Sequence, residues 1–356
     1  MKSRQNPAPA RLRRLRPAAA AAAFLAVSVP ASAGIEWGTA VPEDRDSRWT
    51  VSWGAVASVS GRVDETFRAY YQATGQDSKQ ALAESWDFDD FGFDAPWQTF
   101  GVHFEHAWRF ASFRFDLSLF ELDASARALR DYYIGLEDDV SFGGREYGHL
   151  KIPAGSGFSS EFSGGLGSAL VAVTPFTLAL GENVTLVPEA DIGLVAVAGD
   201  WKIDAGPARG TAVYQNPPVE FVVGGSSSSF IGAGAPFFGA GAELRVGPDD
   251  WVQWITRANG GFFSYSGSTK PFTSSSHREK DLDLDLLMLS LDTSVVLPMD
   301  ERTCFVVGAR VQFLSLDGSI KSKPKDRSAV VAARERFDKE ADADMTIAQI
   351  YAGITF

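Results

Sequence analysis

A chain of 356 residues, 45% hydrophobic and 22% charged, has ample length to bury a core, and its single cysteine excludes a disulfide-stapled scaffold. The same composition excludes a disordered tail and a collagen-like repeat. A mean hydropathy of -0.06, with no run of 18 apolar residues after the leader, excludes a bundle of transmembrane helices.

Residues 1–33 have the three regions of a secretory signal in order. Lys2, Arg4, Arg11, Arg13, Arg14 and Arg16 are basic with no acidic residue among them, Pro17 to Pro30 is a short apolar stretch, and Ala31-Ser32-Ala33 is a small-x-small cleavage site. Cleavage after Ala33 is expected; the Arg13-Arg14 pair leaves a twin-arginine route as the alternative. Without the leader, 27 basic residues remain against 45 acidic ones, a balance of -18 that argues against nucleic acid as a partner.

From Trp49 the pattern has the strand period of two. Trp49, Val51, Trp53, Ala55 and Val59 oppose Thr50, Ser52, Gly54 and Ser58. Phe100, Val102 and Phe104 oppose Gly101, His103 and Glu105; Phe113, Phe115, Leu117 and Leu119 oppose Arg114, Asp116 and Ser118. Leu186, Ala190, Ile192 and Leu194 oppose Glu189, Asp191 and Gly193, and Phe305, Val307, Ala309 and Val311 oppose Gly308, Arg310 and Gln312. Ten strands are expected, at about 48–62, 97–109, 112–123, 166–179, 183–198, 234–247, 250–264, 283–298, 301–316 and 344–356, within a range of eight to twelve. Pro175 interrupts the fourth, and Leu286-Leu287 disturbs the phase of the eighth. A further hairpin around Tyr147 to Ile152 is an open possibility.

A soluble sandwich would also alternate. Here, however, the polar face is small and carries single charges of both signs, as a narrow membrane barrel needs in its lumen. Short turns near 110–112, 181–183, 247–250 and 298–301 alternate with long polar segments at 63–96, 124–165, 199–232, 265–281 and 317–343, the asymmetry of tight turns on one side and long loops on the other. Trp49, Trp97, Trp108, Trp201 and Trp251 fall near strand ends, where an aromatic girdle would lie; Trp53 and Trp254 lie further in.

Ala348, Ile350, Ala352, Ile354 and Phe356 form one apolar face, and the chain stops at that phenylalanine. Together with the leader and the layout of strands, this resembles the assembly signal of Gram-negative outer-membrane β-barrel proteins. The resemblance implies an all-β fold, a closed antiparallel transmembrane β-barrel. It implies 34–47 as a periplasmic segment, 48–356 as the barrel, and both termini on the periplasmic side. It also implies an outer-membrane location, with membrane lipid, lipopolysaccharide and the barrel-assembly machinery as partners, the last engaging Ile354 and Phe356.

The expected lumen charges are Glu105, Arg109, Arg114, Asp116, Glu189, Asp191, Glu243, Arg245, Arg257, Asp292 and Arg310. They make either a selective polar conduit or a salt-bridged plug, and the narrow bore favours the plug. Two acidic stretches offer hard oxygens of the kind that suit Ca²⁺ or Mg²⁺, or else form a solvated rim: Asp87, Asp89, Asp90 and Asp94, then Asp281, Asp283 and Asp285. No cofactor is otherwise expected. His103 should face the lumen beside Glu105 and His106 should face lipid near Trp108, while His149 and His277 fall in loops. Neither the omptin protease pattern nor that of the lipid A deacylases is reproduced, so no catalytic residue is assigned. Ser78 to Trp86 and Ser328 to Lys339 are expected to be helical, and Ser226 to Ser229 a flexible linker.

The leading expectation is a non-enzymatic barrel serving envelope structure, surface interaction or narrow diffusion. The alternatives are a barrel enzyme acting on outer-leaflet lipid or peptide, and a soluble exported β-protein.

Overall fold

Alternation becomes architecture in the computed structural model of the chain, which describes residues 34–37, 47–73, 76–88, 96–142, 145–212, 219–248, 251–269, 280–300, 302–322 and 338–356. Its strands are β1 (Gly34–Trp37), β2 (Ser47–Ala73), β3 (Gln76–Asp87), β4 (Trp97–Ala107), β5 (Ala111–Arg127), β6 (Tyr132–Phe142), β7 (Arg145–Ile152), β8 (Gly157–Val173), β9 (Phe176–Gly181), β10 (Val184–Ala212), β11 (Val219–Val246), β12 (Gln253–Thr269), β13 (Lys280–Pro298), β14 (Cys304–Ser322) and β15 (Asp338–Thr355).

Ten of these close a barrel, each antiparallel to the next in the order β2, β4, β5, β8, β10, β11, β12, β13, β14, β15, with β15 returning to β2. Closure is completed where β2 begins and the chain leaves β15: Ser47 and Phe356 exchange both backbone hydrogen bonds, at 3.1 and 2.9 Å. A closed wall leaves no edge strand, which a barrel in lipid requires. The turns at this end are tight. Asp300 accepts the amides of Arg302 and Thr303, and Gly247 takes a φ of 119° that a side chain would resist. The small β9 fills the break at Pro175 and pairs with β1 and the start of β10, so strand four of the sequence reading is two elements.

Every long strand changes character partway along. On β5 the outward residues run Phe113, Phe115, Leu117, Leu119 and then Glu121, Asp123, Ser125, while the inward ones run Ser112, Arg114, Asp116, Ser118 and then Phe120, Leu122, Ala124. On β13 the outward set passes from Leu297, Val295, Leu291, Leu289 and Leu287 to Asp285 and Asp283, and the inward set from Asp292 and Ser290 to Met288 and Leu286. β14 and β15 do the same, from Phe313 to Asp317 and from Ile350 to Asp344. The outside is therefore apolar near the termini and polar beyond, while the inside is polar near the termini and apolar beyond. The first zone suits lipid outside and paired charge within; the second is ordinary water-soluble β-structure with an apolar interior. On β14 the apolar zone runs from Phe305 to Phe313, nine residues, matching the roughly 9–11 that a tilted strand needs to cross a bilayer.

The long polar segments are thus largely continued strand rather than loop. Ser78 to Trp86 is not helical but part of β3, laddered to β2 from Arg62↔Asp87 to Ala73↔Gln76. Ser226 to Ser229 is not a linker but part of β11, paired with β10 from Ser229↔Trp201 to Ser226↔Asp204. The second long segment does hold the extra hairpin, β6 with β7. Of Ser328 to Lys339, all but the last two residues lie outside the described residues, and those two belong to β15. The disturbed phase at Leu286-Leu287 is the change of zone, with Leu286 inside and Leu287 outside.

Leu291 sits mid-belt on β13 and is 53% exposed. Leu291→Arg is expected to cost about 2–4 kcal/mol in bilayers, against nearly nothing for Asp283→Lys above the belt. Urea titration in liposomes measures both.

Candidate functional site

The site is the lumen at belt depth, where side chains from most of the barrel strands converge. Three of its ion pairs are direct neighbours across the ladder, Glu105↔Arg114, Glu243↔Arg257 and Asp292↔Arg310, and Arg257 stands opposite Asp292 in the same register. Register alone therefore sets opposite charges side by side, a stabilising arrangement on any sheet.

Two clusters then form across the bore. In the first, Arg114 Nε donates to Glu105 Oε1 at 2.8 Å, and its Nη1 donates to Glu189 and lies 3.7 Å from Asp191 Oδ1. Arg257 reaches over from β12 to the same Glu105, at 3.0 and 3.2 Å, and also contacts Glu189 at 3.4 Å and Glu243. Arg245 holds the other oxygen of Glu243 at 2.5 Å. In the second cluster Arg310 binds Asp116 and, at 2.9 Å, Asp292; Tyr351 donates to Asp292 and accepts from Arg48 Nη2 at 2.9 Å. His103 links the two, with Nδ1 2.7 Å from Asp116 and Nε2 3.9 Å from Glu105. Above them Gln349 donates to Thr99 and Ser118, both at 3.2 Å.

The structure brings together all the expected lumen charges except Arg109. That residue lies past the end of β4 in the exposed turn, its guanidinium over the Phe110 ring, because the turn begins at Trp108 and the strand phase no longer applies. Arg48, Tyr351 and Gln349 were missed, although each shares the inward parity of its strand. His103 faces inward as expected, and His106 packs edge-on against Trp108 at 4.8 Å. His149 lies in β7, its side chain outside the described residues, as is His277 entirely.

Above the charges a cluster of buried apolar side chains packs inside the barrel: Val56, Phe120, Phe237, Met288, Leu314 and Ile347, from six of its strands, with Leu170 joining from its place opposite Arg114. Phe237 is its centre, 1% exposed, and lies flat over glycines; a Cβ on Gly261 would sit 2.3 Å from its ring. Trp97 joins this cluster from inside, so it is not part of the girdle. Trp49, Trp108 and Trp251 are exposed near the short turns as a girdle requires, whereas the side chain of Trp201 lies outside the described residues.

Beyond the cluster the wall divides. The β4–β5 ladder ends at Thr99↔Phe120 and the β11–β12 ladder at Phe238↔Phe262, while the strands on either side continue. Two sheets result among the described residues, one from β12 through β15 to β2 and β3, the other β5, β8, β10 and β11, with β7 joined to β10 and β6 to β7. Their carboxylates face outward. Asp283 and Asp285 accept the hydroxyls of Ser266 and Ser264, Asp281 lies on the same face, and Asp87 is exposed; Asp89, Asp90 and Asp94 lie outside the described residues. Among the described residues no group of three or more His, Cys, Asp or Glu is arranged to hold a metal ion. Ile354 and Phe356 are exposed on the outer wall of the last strand.

No family model and no curated sequence matches the chain. Solved structures similar to it include the outer membrane protease OmpT from Escherichia coli, at 12% identity over 89% of this chain and 99% of that one with a TM-score of 0.38. Others are the P. putida toluene transporter TodX, at 7% identity over 89% and 91% with a TM-score of 0.18, and Pseudomonas aeruginosa OpdQ, at 7% over 85% and 98% with a TM-score of 0.14.

Proposed function

We propose that this protein is an outer-membrane barrel that conducts no solute and works through its outward half, as an anchor presenting a split, apolar-lined β-structure at the cell surface. In this reading the short turns and termini face the periplasm, and β1 lies there against β9. The supporting observation is the filled lumen: an ion-paired layer spans the bore at belt depth, and an apolar cluster packs above it. A hydrated solute crossing would have to break several buried ion pairs and then shed its water. This favours anchoring and surface interaction over narrow diffusion. The protein reconstituted in planar bilayers should show no stepwise current above the lipid background in salt solution. Regular ohmic steps would overturn the proposal.

A further inference from the structure

We infer, independently of which way the barrel faces, that the lumen holds one small monovalent cation, sodium or an ion of its size, against the carboxylate of Asp191. Asp191 points inward from β10 with its side chain 0% exposed, and neither of its oxygens accepts a hydrogen bond among the described residues. The nearest guanidinium, Arg114, stands 3.7 Å away and is already bound to Glu105 and Glu189. Arg257 also bears on Asp191, but it is turned to Glu105, Glu189 and Glu243. Every other carboxylate of the two clusters accepts a hydrogen bond from a guanidinium.

The charges fall short at the same place. Among the described residues the first cluster has four carboxylates, Glu105, Glu189, Asp191 and Glu243, and three guanidiniums, Arg114, Arg245 and Arg257. In the second, Asp116 and Asp292 are matched by Arg310 and Arg48. His103 reaches the first cluster only at Glu105, 3.9 Å away. A buried carboxylate without a counter-charge is costly. One positive charge completes the layer, and a divalent ion would overshoot it.

The surroundings of Asp191 offer oxygens of the kind a hard cation takes. In its ladder row the small Ala172 separates it from Ser112, whose buried hydroxyl also has no hydrogen-bond partner among the described residues. In the next row Gly241 stands between Glu189 and Asn259. A Cβ on Gly241 would come within 2.7 Å of the Asn259 Cβ, so the bare glycine gives the asparagine its room, and the amide lies beside Asp191. A flip of that amide presents its oxygen to the ion.

The test is equilibrium urea unfolding of the full chain in neutral-lipid liposomes. Sodium chloride is replaced stepwise, at constant ionic strength, by the chloride of N-methylglucamine, a cation too large for the site. With one ion released per chain, the unfolding constant should fall about tenfold for each tenfold rise in sodium above the site's Kd. Asp191→Asn removes the surplus charge and should unfold independently of sodium. Asp283→Asn, outside the lumen, should respond as the parent does, and Asn259→Ala should raise the Kd for sodium about tenfold. A parent midpoint that sodium does not move would overturn the site, even if Asp191→Asn failed to fold. A sodium response that survives in Asp191→Asn would overturn it as well. So would a midpoint indifferent to sodium that falls as the pH is raised from about 6 to 9, because a proton would then hold the cation's place. Each variant is checked for a closed barrel by its gel shift on boiling. A current in planar bilayers would sink the closed-bore reading by itself, without bearing on the sodium response.

Discussion

Replacing Arg257 with leucine is expected to destabilise the folded barrel by about 3–5 kcal/mol, the cost of leaving buried charges without their partner. Arg257 is the one guanidinium among the described residues that touches Glu105, Glu189 and Glu243 together. Its loss leaves Glu105 to Arg114 and Glu243 to Arg245, with an excess of negative charge in a bore that offers little water. The urea midpoint of the folded band on a cold gel should fall accordingly. Adding Glu243→Gln should recover part of the loss, because it removes one of the stranded charges. An unchanged midpoint for Arg257→Leu would mean that the layer is hydrated and the ion pairs are worth little.

Phe237→Ala should cost a similar amount, about 3–5 kcal/mol, through lost burial and the cavity it leaves. Collapse is hindered because the residues around Phe237 belong to a hydrogen-bonded wall, and the glycines beneath it have no side chains to move in. The same variant is expected to stay electrically silent, since the ion-paired layer below is intact. A stable Phe237→Ala protein that conducts would show that the apolar cluster alone closes the bore. Equilibrium urea unfolding in liposomes and planar-bilayer recording separate the two outcomes.

The strands crossing the belt were legible because lipid outside and charge inside write alternation with a constant sense. Their continuation was not, for a physical reason. Above the belt the sense reverses, so the expected strand stops at 123, where Glu121 and Asp123 have replaced the outer apolar residues, although the same strand continues to Arg127. Where both faces are small and polar, as at Ser226 to Ser229, periodicity carries no signal, and pairing with β10 decides the structure. The alanines of Ser78 to Trp86 suggest a helix, and the ladder to β2 overrides them. Trp97 was misplaced by attending to its position at a strand end; its parity with Thr99 and His103 already put it inside. Most lumen residues could be read from parity, but their partners could not. Glu105 and Arg257 are 152 residues apart, and only closure of the barrel brings them together.

The closed, lipid-belted wall is tested most directly by heat-modifiability. Membrane fractions containing the protein are run on an SDS gel with and without boiling. A closed barrel keeps its hydrogen-bonded wall in cold detergent, having no edge from which to unravel. The unboiled protein should therefore migrate apart from the boiled one, and carbonate washing should leave it with the membranes. A single mobility under both conditions, with release into the soluble fraction, would contradict the barrel and make the apolar belt the core of a soluble β-protein.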